Sequence, residues 1–395
     1  MGLARVEKYL KPCLLCGACY GRGPNVPHNW REPNPEPAPE RRCPSLDFFK
    51  FRTYGAMDRI SLATIVKHEE YPLSDDLKKV FYSCTMCGAC TEVCGLYDPV
   101  DIIRAAREEI VERSGPLTAH RKLLEGFAAN GNPWQKPNSE RDTWSRGLGF
   151  QDISVGGCDT LFFAGCTAAL RPELGAMARS AACLILAAGV EMVTLGREEM
   201  CCGYVPRTVG QTAQFQDLIR ENITTFKRLG IRRIVTICPG CISTFGEYPL
   251  EEMGIEVLHT LKYVQQLIGE GKIKPSKKVG LKVTYHDPCE LGRSPEATDV
   301  PRGILEAMPG VKLVEMDRHG RWTYCCGAGG QAYVAYPGFS AAVAKERVAE
   351  ARYTGAQVLA TSCPMCLTTL SAAAAKTKAN GLRVVDLISF LEEAL

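Results

Sequence analysis

Several common functions find little support in this 395-residue sequence. No apolar run approaches the roughly 20 residues of a membrane-spanning helix. The longest, around "SAACLILAAGV", is much shorter and rich in small residues. The opening "MGLARVEKYLKP" has no secretory h-region, and Val6 breaks the myristoylation pattern. Net charge is only +3, which gives no electrostatic reason to expect nucleic acid or an anionic membrane as the main partner. With 46% apolar and 23% charged residues the composition is that of an ordinary globular chain long enough for two or three domains. The expectation is a cytoplasmic protein that binds no nucleic acid, has no membrane span of its own, and reaches a membrane only through a partner subunit.

Cysteine is the exception, with twenty in the chain. Reduced cytosolic thiols in clusters read as metal ligands rather than disulfides. The first eight are Cys13, Cys16, Cys19, Cys43, Cys84, Cys87, Cys90 and Cys94. "CLLCGAC" and "CTMCGACTEVC" carry the two-residue gaps of cubane iron–sulfur loops, which let three sulfurs converge from one tight turn. Gly17 and Gly88 follow the second cysteine, where a side chain would crowd the cluster or strain the turn. In two-cluster ferredoxins the fourth ligand crosses to the other cluster. Cys13, Cys16 and Cys19 are therefore paired with Cys94, and Cys84, Cys87 and Cys90 with Cys43. Zinc is the rival reading, but it favours two CxxC pairs over triplets. Gly95 stands where a proline usually follows the last cysteine, and a Pro-rich stretch, "GRGPNVPHNWREPNPEPAPERR", precedes Cys43.

"SDDLKKVFYSC", "DPVDIIRAAREEIVER" and "PLTAHRKLLEGF" have helical apolar spacing with Ser or Asp placed to cap. The first domain, residues 1–130, is thus expected to be an all-α ferredoxin, followed by a polar linker at 131–156. "DFFKFRTYGAMDR" within that domain has the basic and aromatic residues of a docking surface, or of a cover over its own cluster.

The rest repeats. A lone cysteine, a CCG and a CPxC occur twice in the same order, with offsets of 123, 124 and 125 residues (Cys166 to Cys289, Cys201 to Cys325, Cys238 to Cys363). Cys202, Cys326, Cys241 and Cys366 complete the two sets of five. Short β-branched runs ("DTLFFA", "VEMVTL", "RIVTI"; "LKVTYH", "VKLVEM", "QVLAT") alternate with helical stretches, which predicts two tandem α/β domains, 157–275 and 276–395, with largely parallel sheets. Ligands would then lie at the carboxyl ends of strands. Pro239 and Pro364 suit a first helical turn, whose N–H groups favour thiolates. "CCGAGGQA" also fits G-x-G-x-x-[GA], a weak signal that the first copy does not preserve, so its glycines are expected to clear a cluster rather than a phosphate. A thioredoxin-type thiol pair at CPGC is a further alternative, though it needs no additional cysteines. Cys183, in an apolar helix, is expected to be core, and Cys158 a stray thiol. His286, three residues before Cys289, is a candidate proton or hydrogen-bond donor, or a support for the strand end, and Asp287 a cap for the loop of Cys289. His28, His68, His120, His259 and His319 suggest only surface or packing roles.

The whole pattern resembles the heterodisulfide reductase D-type iron–sulfur subunits, in which a C-type two-cluster ferredoxin is fused to two B-type CCG domains. That resemblance implies two cubane 4Fe–4S clusters. It further implies two noncubane 4Fe–4S clusters, one on Cys166, Cys201, Cys202, Cys238 and Cys241 and the other on Cys289, Cys325, Cys326, Cys363 and Cys366. Zinc or another cluster type in one CCG site is the variant known in the family. It implies an electron-transfer oxidoreductase subunit with flavin- or iron–sulfur-containing partner subunits, acting on a disulfide at one or both CCG sites. Relatives of the same layout instead relay electrons in class II benzoyl-CoA reductase complexes, in glycolate or glycerol-3-phosphate dehydrogenases, or in sulfite reduction. No convincing flavin or nucleotide motif is present, so hydride chemistry belongs to another subunit.

Anaerobically isolated protein should therefore contain iron and acid-labile sulfide in near-equal amounts. Zinc as the dominant metal in elemental analysis would reject the cluster reading.

Overall fold

The computed structural model describes residues 2–10, 13, 19, 42–68, 71–94, 96–154, 156–293, 295–377 and 381–395. Cys16, Gly17, His28, Gly95 and most of the Pro-rich stretch lie outside the described residues. Before residue 160 the described residues form helices and no strand. The helix Asp75–Tyr82 is capped by Ser74, whose hydroxyl accepts from Leu77 N, and the helix Pro99–Ser114 by Asp98, whose carboxylate accepts from Val100 N. These are the two caps that the sequence offers, each supplying an acceptor to an otherwise unpaired N–H.

Two parallel sheets follow. The first has the order β1 (Thr160–Phe163), β2 (Arg233–Thr236) and β3 (Glu256–His259). In the second, β4 (Lys282–Tyr285), β6 (Val358–Thr361) and β7 (Arg383–Asp386) repeat that order, with β5 (Lys312–Leu313) added beside β4. In the first copy "VEMVTL" forms no strand. It makes a single bridge, Val193 to Leu161, in the position that β5 takes in the second. The runs giving β3 and β7 carry little strand signal in the sequence, because each is a short edge strand leading straight into a helix. The central strands β1 and β6 are buried along their whole length, as a parallel sheet covered on both faces requires.

The two halves share one hydrophobic core. Phe162, Val235 and Leu261 of the first cluster with Val283, Ile304, Val358 and Leu387 of the second. The segment 131–156 is polar as expected, yet it does more than span a gap. Trp144 enters that core and Arg141 is buried against Glu199.

The N-terminal helices are fixed to both halves by a guanidinium. Arg107 is fully buried and donates to the carbonyls of Phe81 at 2.9 Å, Cys84 at 2.7 Å, Thr208 at 2.7 Å and Gly330 at 2.9 Å. Arg293 adds a second link, to Cys87 O at 2.9 Å and Thr323 O at 3.2 Å.

The glycines of "CCGAGG" clear the chain's own backbone, which corrects the expectation that they clear a cluster. A Cβ on Gly329 would enter the van der Waals shell of Thr85 O, and one on Gly330 would meet Cys84 O at 2.7 Å. The same packing leaves no room for a phosphate. Gly88, at φ 72°, is needed by its turn.

Gly329→Ala should lower stability by about 1–3 kcal/mol through overpacking. Gly338→Ala, whose Cβ would meet nothing within 4 Å, is the control and should leave the anaerobic melting temperature unchanged or slightly raised.

Candidate iron–sulfur centres

The carboxyl ends of the strands place the cysteines. Cys166 follows β1, Cys238 follows β2, Cys289 follows β4 and Cys363 follows β6. Cys238 and Cys363 are the N-caps of helices that begin at Pro239 and Pro364, as the sequence suggests. The Cys238 thiol is pulled below its ordinary pKa by hydrogen bonding from Cys241 and by backbone N–H groups, against burial.

The two sets of five are built alike. In each, the second cysteine of CCG accepts from the first and from the last cysteine of CPxC. Cys202 accepts from Cys201 and Cys241, and Cys326 from Cys325 and Cys366, the last at 3.2 Å. Those donors hold Cys202 and Cys326 below the usual thiol range. The lone cysteine meets the first of CCG in both copies, Cys166 with Cys201 at 3.6 Å and Cys289 with Cys325. Backbone N–H groups of Gly203 and Gly327 reach Cys201 and Cys325 at 3.4 and 3.3 Å. Buried thiols that share protons in this way are set to be deprotonated together by a metal centre, since only thiolates ligate.

One cavity of about 860 Å³, partly open to solvent, is walled by cysteines of both sets. Cys166, Cys201, Cys202, Cys238 and Cys241 face it from the first half, and Cys289, Cys326, Cys363 and Cys366 from the second. Cys325 turns away, toward the N-terminal domain, where its thiol contacts Cys87. Glu290 is the one carboxylate among the described lining residues, and it accepts a 2.9 Å hydrogen bond from the Tyr204 hydroxyl. Tyr204 and Glu290 escaped the sequence reading, although each directly follows a motif (CCG, Cys289). Trp134, from the segment before β1, also lines the cavity.

A second, smaller cavity is lined by Cys43, Cys84, Cys87 and Cys90, with Arg59 beside them. The pairing of Cys43 with the second CxxC run thus has the four sulfurs around one space. Burial pushes the Cys43 thiol up to about 12 despite Arg59. Met86 N donates to Cys84 Sγ at 3.3 Å, the N–H···S contact expected of a cubane loop. Cys13, Cys19 and Cys94 gather around Tyr97, which bonds the Cys13 thiol. Cys90 is also within electrostatic reach of Cys19, so the two N-terminal groups adjoin.

His286 is buried, and with burial and Arg347 against it the imidazolium is disfavoured down to about pH 3. Asp287 does not cap its own loop. It is paired with Arg302 at 2.8 Å and accepts from Gly320 N at 2.7 Å. In the first copy Glu199 takes this part, paired with Arg141 at 2.8 Å and accepting from Ala164 N and Gly165 N. Cys183 is half-buried rather than core, and Cys158 donates to Thr160 O. His120 and His259 are buried and bond Gln331 O and Ile237 O, which are packing roles.

Residues 8–96 match the 4Fe-4S dicluster domain, and residues 160–246 and 283–371 each match the cysteine-rich CCG domain. The chain is 31% identical to the D-type subunit of the dihydromethanophenazine:CoB–CoM heterodisulfide reductase of Methanosarcina mazei, over 98% of this chain and 94% of that one. It is 28% identical to the EtfAB:quinone oxidoreductase of Syntrophomonas wolfei, over 86% of this chain and 50% of that one. To the B-type subunit of the fumarate reductase (CoM/CoB) of Methanothermobacter marburgensis it is 28% identical, over 98% and 73%. Among the described residues no helix is long and apolar enough to cross a membrane.

Cys43→Ser and Cys94→Ser should perturb different cubane centres. In EPR of the reduced protein each substitution is expected to alter one signal and spare the other. The same signal altered by both would reject the crossed pairing.

Proposed function

The chain belongs to the heterodisulfide reductase D-type family, and on that premise we propose that it carries electrons from two N-terminal cubane clusters to the double-walled cavity, where a disulfide is reduced. It is an iron–sulfur electron-transfer subunit of an oxidoreductase. In this reading residues 1–130 are an all-α two-cluster ferredoxin. Cys13, Cys16, Cys19 and Cys94 hold one cubane, and Cys43, Cys84, Cys87 and Cys90 the other. The two sets of five thiolates each hold a noncubane cluster. Bound there, such clusters supply single electrons and iron that accepts thiolate sulfur.

The observation that carries the proposal is the one cavity lined by cysteines of both CCG sets. A disulfide placed in it has one sulfur toward each set. Its reduction takes two electrons and two protons and yields two thiols. The Tyr204–Glu290 pair puts an exchangeable proton at the cavity wall, while Trp134, Tyr333 and the prolines of both CPxC turns exclude water from part of it. The contact of Cys87 with Cys325 makes the second CCG set the point of entry for electrons, ahead of the first. Electrons come from a flavin- or iron–sulfur-containing partner subunit.

The likeness to the EtfAB:quinone oxidoreductase favours a second reading, a pure relay in which the same centres hand electrons to a partner. An anaerobic assay with a reduced viologen dye and small asymmetric disulfides separates the two. Thiol release at a rate proportional to cluster content is expected. Full clusters without thiol release from any disulfide would leave only the relay.

A further inference from the structure

The two CCG sites are alike in their cysteines but not in what faces them. Three residues before Cys289 lies His286, and three residues before Cys166 lies Phe163. Phe163 is fully buried and packs edge-on against Phe245, with ring centroids 5.1 Å apart, so it offers no polar hydrogen to its site. His286 is 1% exposed, and one of its ring nitrogens, Cys326 Sγ and Cys366 Sγ all lie within 4.8 Å of one another.

The protonation of that ring is set from behind. Arg347, with no exposed surface, donates its Nε–H to His286 Nδ1 at 3.0 Å and is itself anchored to Glu350 at 2.9 Å. A guanidinium has donors only, so Nδ1 must present a lone pair and the proton of the neutral imidazole resides on Nε2. His286 Nε2 has no protein oxygen or nitrogen as partner. A buried N–H without a partner costs about 1–3 kcal/mol, and the nearest groups able to accept it are the sulfurs of the second CCG site.

We infer that His286 is a hydrogen-bond donor to the sulfurs of the second CCG site, fixed in that tautomer by Arg347, and that it raises the reduction potential there, a device the first site lacks. The inference rests on the reading that both CCG sites carry redox-active iron–sulfur clusters. Its electrostatic sense follows from charge. Reduction adds negative charge to the sulfurs, and an N–H aimed at them stabilises the reduced form more than the oxidised one. Direct ligation is the rival use of Nε2. It needs the lone pair on Nε2 and hence the proton on Nδ1, which would set two donors, Nδ1–H and Arg347 Nε–H, against each other. Arg347 therefore selects donation over ligation. The other features near the two sites are matched: the Gly203 and Gly327 N–H donors to sulfur, and the buried Glu199–Arg141 and Asp287–Arg302 pairs. His286 acts through the sulfur ligands and is a positioning residue.

The test uses the full chain, prepared anaerobically with its clusters. In an EPR-monitored redox titration, His286→Phe, which copies the first site, should shift the reduction equilibrium of one CCG centre at least tenfold toward the oxidised form. That is about 59 mV for a one-electron couple. His286→Gln, which keeps an N–H, should recover part of the shift. Wild-type protein with 15N-labelled histidine serves if the variants do not fold. A weak 15N hyperfine coupling at a CCG centre is expected for a hydrogen-bonded imidazole. A strong coupling typical of a ligand nitrogen would overturn the inference, as would an unchanged midpoint in His286→Phe at full iron content. Zinc in place of iron at the second site would overturn both this inference and the functional reading beneath it, and metal analysis of the wild type identifies that case.

Discussion

A single buried cation sets the distances on which the remaining arrangement depends. The Arg107 guanidinium has no carboxylate beside it among its hydrogen-bond partners. Its charge is met by four carbonyls, from the helix before the second CxxC run, from that run itself, from the first α/β half and from the glycine run of the second. Removing a charge from water costs several kcal/mol unless such dipoles replace the solvent. The carbonyls can do this only if all three parts of the chain close on the same point. The close approach of Gly329 and Gly330 to Thr85 and Cys84 is the steric side of that closure. The Cys87–Cys325 contact is its chemical result.

The duplicated half keeps a common scheme and varies its parts. Each site has a buried carboxylate–arginine pair holding backbone N–H groups near the lone cysteine. The carboxylate comes from the CCG segment in one copy (Glu199) and from the lone-cysteine segment in the other (Asp287). Such exchange is what duplication followed by independent repacking produces, since the constraint is on the charge at a place and not on the strand that brings it. The difference between Phe163 and His286 has a different character, because it changes the chemistry facing the sulfurs.

Much of this was legible in the sequence because cysteine spacing reports geometry directly. Four thiolates around one small body can be supplied only by certain loop lengths, so the triplets, the CCG pairs and the CPxC turns carried their own meaning. The strand–helix rhythm was legible for the same reason that β1, β2, β4 and β6 are central: their runs are continuous and apolar. The edges were not. β3 and β7 are short, and "VEMVTL" has the composition of a strand but only one bridge. The order of the sites was also hidden. Sequence places the first CCG set next to the ferredoxin, and the fold places the second there. Arg107, Arg293, Arg347 and Glu290 were silent because an arginine or a glutamate in a string of letters does not say whether it will be buried. The role of the glycines was misread for a related reason, since clearance is visible in a sequence but the body being cleared is not.

The shared core of the two halves has a consequence for how the protein fails. Trp144, Phe162 and Val235 pack in the same cluster as Tyr285, Val358 and Phe390, so neither half has a hydrophobic interior of its own to fall back on. Oxidative loss of one centre loosens the loops on a body that the other centre also needs. The molecule is consequently cooperative in damage, and a chain that has lost one centre is drawn toward global unfolding and proteolysis rather than persisting as a half-working wire that leaks electrons to oxygen.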